Sequence, residues 1–145
     1  LQNTATVVVV AATSLTSAGT AAGWIDTLGF SEAAVDFNVG VVTATGANPS
    51  VCALAECDTT AATSSAVAIT GLTGDATDGF TIGAVDTSLP SVIRMNVDLR
   101  KRKRFLYATF AAGAGTPGAI AITATLGKAG DSTIARAKMN TVVDK

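Results

Sequence analysis

Residues 92–99 read Val-Ile-Arg-Met-Asn-Val-Asp-Leu, and apolar and polar side chains alternate along the whole stretch. Successive side chains of a β-strand point to opposite faces, so this alternation is typical of a strand with one face in the core. The apolar positions are Ile93, Met95, Val97 and Leu99, and Arg94, Asn96 and Asp98 lie between them. The stretch therefore predicts a sheet that is buried on one side and open to solvent on the other.

The same two-residue period recurs along much of the chain. It is clear at residues 35–41 and 119–126, and weaker strand candidates are residues 4–12, 23–30, 51–57, 66–72, 79–85 and 105–111. Gly, Pro, Asn and Asp are concentrated between these runs, where they favour turns. β-Branched Thr and Val interleave with the abundant Ala, which favours strand over helix. We predict an all-β fold of about nine strands, either an antiparallel β-sandwich of jelly-roll type or a barrel.

The composition has few of the side chains that catalysis uses. Ala, Thr, Val and Gly supply 79 of 145 residues, and there is no histidine. Without histidine the usual base of a Ser-His-Asp triad is missing, and a zinc site would lack its commonest nitrogen ligand. We therefore expect no enzyme activity, no catalytic residues, no metal site and no cofactor.

The two cysteines, Cys52 and Cys57, lie five residues apart. On a single strand this odd spacing would point them to opposite faces, which makes a disulfide between them geometrically awkward. The interpretation that we favour is a pair of small, buried or half-buried thiols.

Length and charge predict one domain with no overall attraction to polyanions. The 145 residues fit a single β domain, to which we add extended arms at residues 1–6 and 130–145 that become ordered on docking. The net charge of −1 gives no overall attraction to nucleic acid or to anionic membranes. No apolar run is long enough to span a bilayer, and no basic residues precede the apolar run at 7–12 as they would in a signal peptide.

Five consecutive cations form the sharpest local feature: Arg100, Lys101, Arg102, Lys103 and Arg104, here called the basic segment. One interpretation is the solvated tip of a hairpin that joins strand 92–99 to strand 105–111, because like charges repel and favour an exposed bend. A second is docking on an acidic protein surface. A third is phosphate binding, which is disfavoured because no aromatic residues are interleaved for base stacking.

Trp24 is the single tryptophan of the chain. A lone large aromatic residue is most often part of the core, and it can also serve as a sugar platform or as an interface hot spot. For contact with a partner, the candidate residues are Arg100, Lys101, Arg102, Lys103, Arg104 and Trp24.

Several segments resemble small structural proteins that tailed bacteriophages and prophages encode. They are Gly-Trp-Ile-Asp-Thr-Leu-Gly-Phe at 23–30, Val-Asp-Phe-Asn-Val at 35–39, Pro-Ser-Val-Cys-Ala-Leu-Ala-Glu-Cys-Asp at 49–58, Asn-Val-Asp-Leu-Arg at 96–100, Arg-Phe-Leu at 104–106 and Ala-Ile-Thr-Ala-Thr-Leu-Gly-Lys at 121–128. The resemblance implies a virion decoration or cement protein on the capsid exterior, made in the host cytoplasm. It also implies a β-sandwich homo-oligomer, with a trimer favoured, whose partner is the major capsid protein.

Other functions stay open at the level of sequence. A small β-rich coat protein would place the basic segment towards the genome. A fibre subunit could use the apolar run at 7–12 as a donor strand. A carbohydrate- or cell-surface-binding module would need an aromatic platform, for which Trp24 and Tyr107 are the candidates.

Overall fold

A computed structural model describes residues 4–15, 19–42, 49–74, 80, 82, 89–113 and 118–128. The described residues form eight β-strands and one short 3₁₀ turn, Thr63–Ser65. The strands are β1 (Thr4–Ser14), β2 (Thr20–Asp26), β3 (Glu32–Val39), β4 (Val51–Cys57), β5 (Val67–Gly74), β6 (Ser91–Asp98), β7 (Phe105–Ala111) and β8 (Ala119–Gly127).

The eight strands form two four-stranded antiparallel sheets. Sheet I has the order β1-β8-β3-β6, and sheet II has the order β2-β7-β4-β5. Strand 1 thus pairs with 8, 2 with 7, 3 with 6 and 4 with 5, as if one long antiparallel pair had been rolled up. This is the strand order of a jelly roll, and it confirms the predicted all-β sandwich.

The core lies between the two sheets and is built from the alternation that the sequence shows. The predicted inward positions Met95, Val97 and Leu99 are buried, while the polar residues between them are exposed. In β3 and β8 the fully buried side chains include Val35, Phe37, Ile120, Ile122 and Leu126. Val41 departs from the pattern because β3 ends at Val39, and its side chain is 44% exposed while Val42 takes the buried place.

The predicted strand bounds agree best where a strand is short and regular. Residues 51–57 and 105–111 form β4 and β7 as predicted. The candidate at 23–30 begins earlier, at Thr20, and ends at Asp26, because Gly29 turns the chain with a φ of 86°. In the predicted arms, residues 4–6 lie in β1, whereas residues 1–3 and 130–145 lie outside the described residues, as does most of the strand predicted at 79–85.

The hairpin predicted between residues 92–99 and 105–111 is wrong. β6 pairs with β3 in sheet I, whereas β7 pairs with β2 and β4 in sheet II, so the basic segment crosses from one sheet to the other. Buried Leu99 begins the crossing, and its N–H donates to Ser31 O at 2.9 Å. At the other end Thr27 N donates to Arg104 O at 2.9 Å, which fixes the entry into β7.

Small residues let the two sheets approach closely at the β1–β2 side. A Cβ atom on Gly23 would lie 2.8 Å from both the Cγ1 and the carbonyl oxygen of Val9, so a larger residue would push β1 away from β2. The high Ala and Gly content is thus part of the packing.

The two thiols are both buried and are not bridged. Burial in the core raises the pKa of Cys52 to about 12. Cys57 lies at the end of β4 with its Sγ 3.2 Å from Ser65 Oγ, and this hydrogen bond, with the backbone N–H of Thr59, lowers its pKa. The two thiols therefore differ in environment, and we expect them to differ in reactivity.

We expect iodoacetamide to alkylate Cys57 before Cys52 in the folded protein, with Cys52 reacting only after unfolding. The thiolate is the reactive form, and burial in the core suppresses it at Cys52. Peptide mapping by mass spectrometry after timed quenching measures both rates. Equal rates at the two sites, or a melting temperature that depends on reducing agent, would contradict the assigned environments.

Candidate interaction surface

The outer side of sheet II carries side chains that are uncharged over most of its area. Alternation along the strands and the register between β2, β7 and β4 place nine half-buried side chains there. They are Ala22, Trp24, Val51, Ala53, Ala55, Phe105, Tyr107, Thr109 and Ala111, here called the sheet II face. The outer side of an antiparallel sheet normally meets water with polar residues, so this composition makes the sheet II face the candidate interaction surface.

Aromatic rings give the sheet II face its relief. Trp24 and Tyr107 are directly opposite on β2 and β7, with ring centroids 4.6 Å apart and ring planes tilted by 44°. Phe105 follows on the same side of β7, and the Arg104 guanidinium lies 4.7 Å from the centre of its ring. Aromatic and Arg side chains of this kind are enriched among the residues that dominate binding energy.

The outer side of sheet I has the opposite character. Its outward residues are mostly polar or charged, with the apolar Val8 and Val92 near its margins. The polar set includes Glu32, Asp36, Asn38, Arg94, Asn96, Asp98, Thr123 and Thr125. Both sheets belong to one small domain with one overall composition. The contrast therefore shows that composition alone does not explain the uncharged character of the sheet II face.

The basic segment is largely neutralised by carboxylates from other parts of the chain. Arg104 forms a two-bond fork with Asp26, at 3.1 and 2.9 Å. The remaining ion pairs are Arg100–Asp98 at 2.6 Å, Arg102–Glu56 at 3.4 Å and Lys103–Asp58 at 2.9 Å. Lys101 makes no ion pair with any residue that the structure describes. The segment is therefore a network at one end of the sandwich rather than an open cationic patch.

The structure brings only some of the predicted contact residues together. Arg104 lies beside Phe105 at the end of the sheet II face and pairs with Asp26. Trp24 lies on β2, two residues before Asp26. Arg102 and Lys103 sit at the end of β4, while Arg100 is directed to sheet I through Asp98. The expectation that Trp24 is a core residue is wrong, because Ile25 takes the inward position and leaves Trp24 on the outer side.

Sequence reasoning did not single out Phe105 as a surface residue and used Tyr107 only as a sugar platform. The period-2 pattern of residues 105–111 was a usable signal, since Leu106, Ala108 and Phe110 are the inward set. The odd-numbered residues must then face out together with Trp24, because the register joins Trp24 to Tyr107.

Within the described ranges, no three His, Cys, Asp or Glu side chains come close enough to hold a metal ion. The described part also contains no helix long and apolar enough to cross a membrane.

The free energy of unfolding is expected to fall in acid because of Asp36. The hydrogen bond from Arg94 lowers the pKa of Asp36, which is the main cause, and the Nε–Oδ1 distance is 2.6 Å. A carboxyl whose pKa is depressed in the folded state stabilises the protein above its ordinary pKa of about 4, and this contribution is lost as the pH falls further. Urea unfolding at pH 7 and pH 3 should show a smaller pH difference for Asp36→Asn than for the wild type. Identical differences would contradict this linkage.

The arrangement combines an uncharged, partly aromatic surface with an ion-pair network at one end. Charged groups that are already paired contribute orientation and specificity more than affinity. Comparison of the sequence with known protein families and with curated proteins finds no match.

Proposed function

We propose that this chain is a virion structural protein that binds the outside of a tailed-phage head and stabilises it as a decoration or cement protein. The observation that carries the proposal is the uncharged, aromatic sheet II face on a two-sheet β-sandwich. In this role the face packs on the major capsid protein, and the ion-pair network at its end sets the orientation. The protein acts by binding, without catalysis.

The fold is compatible with this role. Jelly rolls occur in viral capsid domains, but they also occur in lectins and cupins, so fold alone gives only an analogy. The segments that resemble phage structural proteins supply the more specific support. Two of them, residues 23–30 and 104–106, contribute Trp24, Arg104 and Phe105, which lie in one neighbourhood of the sheet II face.

A homo-oligomer, with a trimer favoured, belongs to the same proposal. Many core positions hold small side chains, including Ala33, Ala108 and Ala124, which bury little apolar area per residue. Association with identical copies and with the capsid adds buried area, and a ligand that binds only the assembled shell stabilises it by mass action.

The test is binding of the purified chain to phage heads that lack it. The solution mass is measured by light scattering, and binding is measured by cosedimentation with the heads. We expect a saturable number of copies per head and a rise in the temperature at which heads release their DNA. A chain that stays in the supernatant at all concentrations would overturn the proposal, and an ability to assemble into shells or fibres alone would favour a coat or fibre subunit.

A further inference from the structure

A groove of about 550 Å³ crosses the outer side of sheet I, away from the sheet II face. Residues at the ends of β3, β6 and β8 line it, together with Thr4 at the start of β1. Volumes of this size are common for small-molecule sites. Neither the aromatic residues nor the basic segment's contacts with sheet II take part in it.

Two small residues, Ala34 on β3 and Gly127 on β8, form the floor of the groove. They are diagonal neighbours, because Ala34 is directly opposite Thr125 and Gly127 is directly opposite Glu32. A Cβ atom at Gly127 would lie 2.7 Å from Glu32 Oε1, so glycine is what allows the Glu32 side chain to lie across the floor. The depression is therefore a property of specific residues rather than of a flat sheet.

The walls of the groove carry both hydrogen-bond donors and acceptors in balanced number. Lys128 Nζ lies 3.0 Å from Glu32 Oε2, and Arg100 NH2 lies 2.6 Å from Asp98 Oδ2. The cations are 75% exposed for Arg100 and 74% for Lys128, so their remaining N–H groups are available to a ligand. Among the described lining residues, two cations and two carboxylates balance each other in charge.

The groove also contains polar side chains that make no hydrogen bond to any other described residue. Farther along the same side of sheet I, Asp36 is held by Arg94, and Asn38 lies 3.4 Å from Thr123 Oγ1. In the groove, by contrast, the side chains of Asn96, Thr125 and Thr4 have no hydrogen-bond partner among the described residues. An amide and two hydroxyls are therefore free to bind a ligand.

Backbone bonds hold the groove walls in place before any ligand arrives. Ser31 N donates to Gly127 O at 3.3 Å, and Leu99 N donates to Ser31 O at 2.9 Å, so the ends of β8 and β6 are tied through one residue. Lys128 has a φ of 53°, the left-handed region that non-glycine residues rarely adopt. Such backbone geometry is kept where the surroundings fix it, and preorganisation reduces the entropy lost on binding.

We propose that this groove binds a neutral oligosaccharide. Sugar hydroxyls donate to the carboxylates of Glu32 and Asp98 and accept from Arg100, Lys128 and the Asn96 amide. At Ala34 the floor carries only a methyl group, which gives a sugar ring room to lie close to the sheet. A decoration protein docked through sheet II would present this groove to the medium, but the chemistry of the groove does not depend on that role.

Other ligand classes fit the groove less well. An anionic ligand would meet the carboxylates of Glu32 and Asp98, which already occupy the two cations. An apolar ligand would find no aromatic or large aliphatic wall among the described lining residues, since Val97 is buried in the core. Because none of the described lining residues is aromatic, we expect binding to depend on hydrogen bonds, with dissociation constants of about 1 mM.

Saturation-transfer NMR and isothermal titration of the full chain test the proposal with maltotriose, cellotriose, mannotriose and chitotriose, and with sialyllactose as the charged probe. We expect at least one neutral probe to bind and Ala34→Phe to weaken it by about tenfold or more, because the ring fills the floor. Asn96→Ala with Thr125→Ala should weaken it as well. Ala121→Phe is the matched control, since Ala121 faces outward on β8 beyond the groove.

The outcomes are decisive in both directions. The oligosaccharide site would be overturned if no neutral probe bound at a concentration of about 10 mM, ten times the expected dissociation constant. Tighter binding of sialyllactose, or equal affinity of the wild type and Ala34→Phe, would also overturn it. Melting curves verify that each variant is folded. Phage-head binding by Ala34→Phe should remain at the wild-type level, so the sugar site and the decoration role are tested separately.

Discussion

Ala55→Glu is expected to reduce affinity for phage heads by about a hundredfold or more while changing the melting temperature by only a few degrees. Ala55 lies on β4 in the middle of the sheet II face, directly opposite Tyr107. The Ala55 side chain is a half-buried methyl group, so its replacement should cost the isolated fold little. In a docked complex, however, the new carboxylate would be buried without a partner, which costs several kcal/mol. Cosedimentation across a concentration series measures the change.

A second variant and a control separate loss of the surface from loss of the fold. Trp24→Ala removes the ring that stacks on Tyr107, and we expect it to weaken head binding by 2 kcal/mol or more, about thirtyfold. Val92→Glu introduces the same charge as Ala55→Glu on the outer side of sheet I, where the side chain is 61% exposed, and should bind normally. If Val92→Glu lost binding and Ala55→Glu kept it, the capsid-facing side would be sheet I.

The strands were predictable because their signal is local. In β6 and β3 the alternation alone identifies the inward residues, such as Met95 and Phe37, and the structure buries both. The pairing of strands was not predictable in the same way. The link between residues 99 and 105 is short enough for a hairpin, yet β6 pairs with β3 in sheet I and β7 pairs with β2 and β4 in sheet II. Those partners are set by contacts far apart in sequence, which no local pattern contains.

The interaction surface was predictable only in part, because local sequence shows which residues are unusual but not what surrounds them. Trp24 and the basic segment stood out by rarity and by charge, but their environments depend on the fold. Arg104 pairs with Asp26 across 78 residues and Arg102 with Glu56 across 46, so the sequence shows five adjacent cations and not their neutralisation. Replacing the whole segment would therefore remove the ion-pair partners of Asp26, Glu56, Asp58 and Asp98 and perturb the protein itself. Single changes on the sheet II face give a cleaner test.

Phe37→Ala is expected to lower the free energy of unfolding by about 3–5 kcal/mol. Phe37 is fully buried in β3, with Ile93 and Ile122 as its direct neighbours on β6 and β8. The loss combines the lost transfer energy of the ring with the cavity left behind. Since a domain of this kind has a total of about 5–15 kcal/mol, the variant should be close to unfolding at 37 °C. Urea denaturation monitored by Trp24 fluorescence measures the difference.

The cost should lie at the upper end of that range because the surrounding core cannot collapse into the gap. Several other core positions hold Ala, among them Ala33, Ala108 and Ala124, whose methyl groups cannot extend into a gap, and β-sheet hydrogen bonds hold the strands at fixed spacing. Phe37→Leu retains most of the volume and should cost about 1 kcal/mol. Val92→Ala, at an exposed position of the neighbouring strand, should change stability by less than about 0.5 kcal/mol. A loss below about 2 kcal/mol for Phe37→Ala would mean that the two sheets can move together, and that the small residues of the core provide plasticity rather than close, fixed packing.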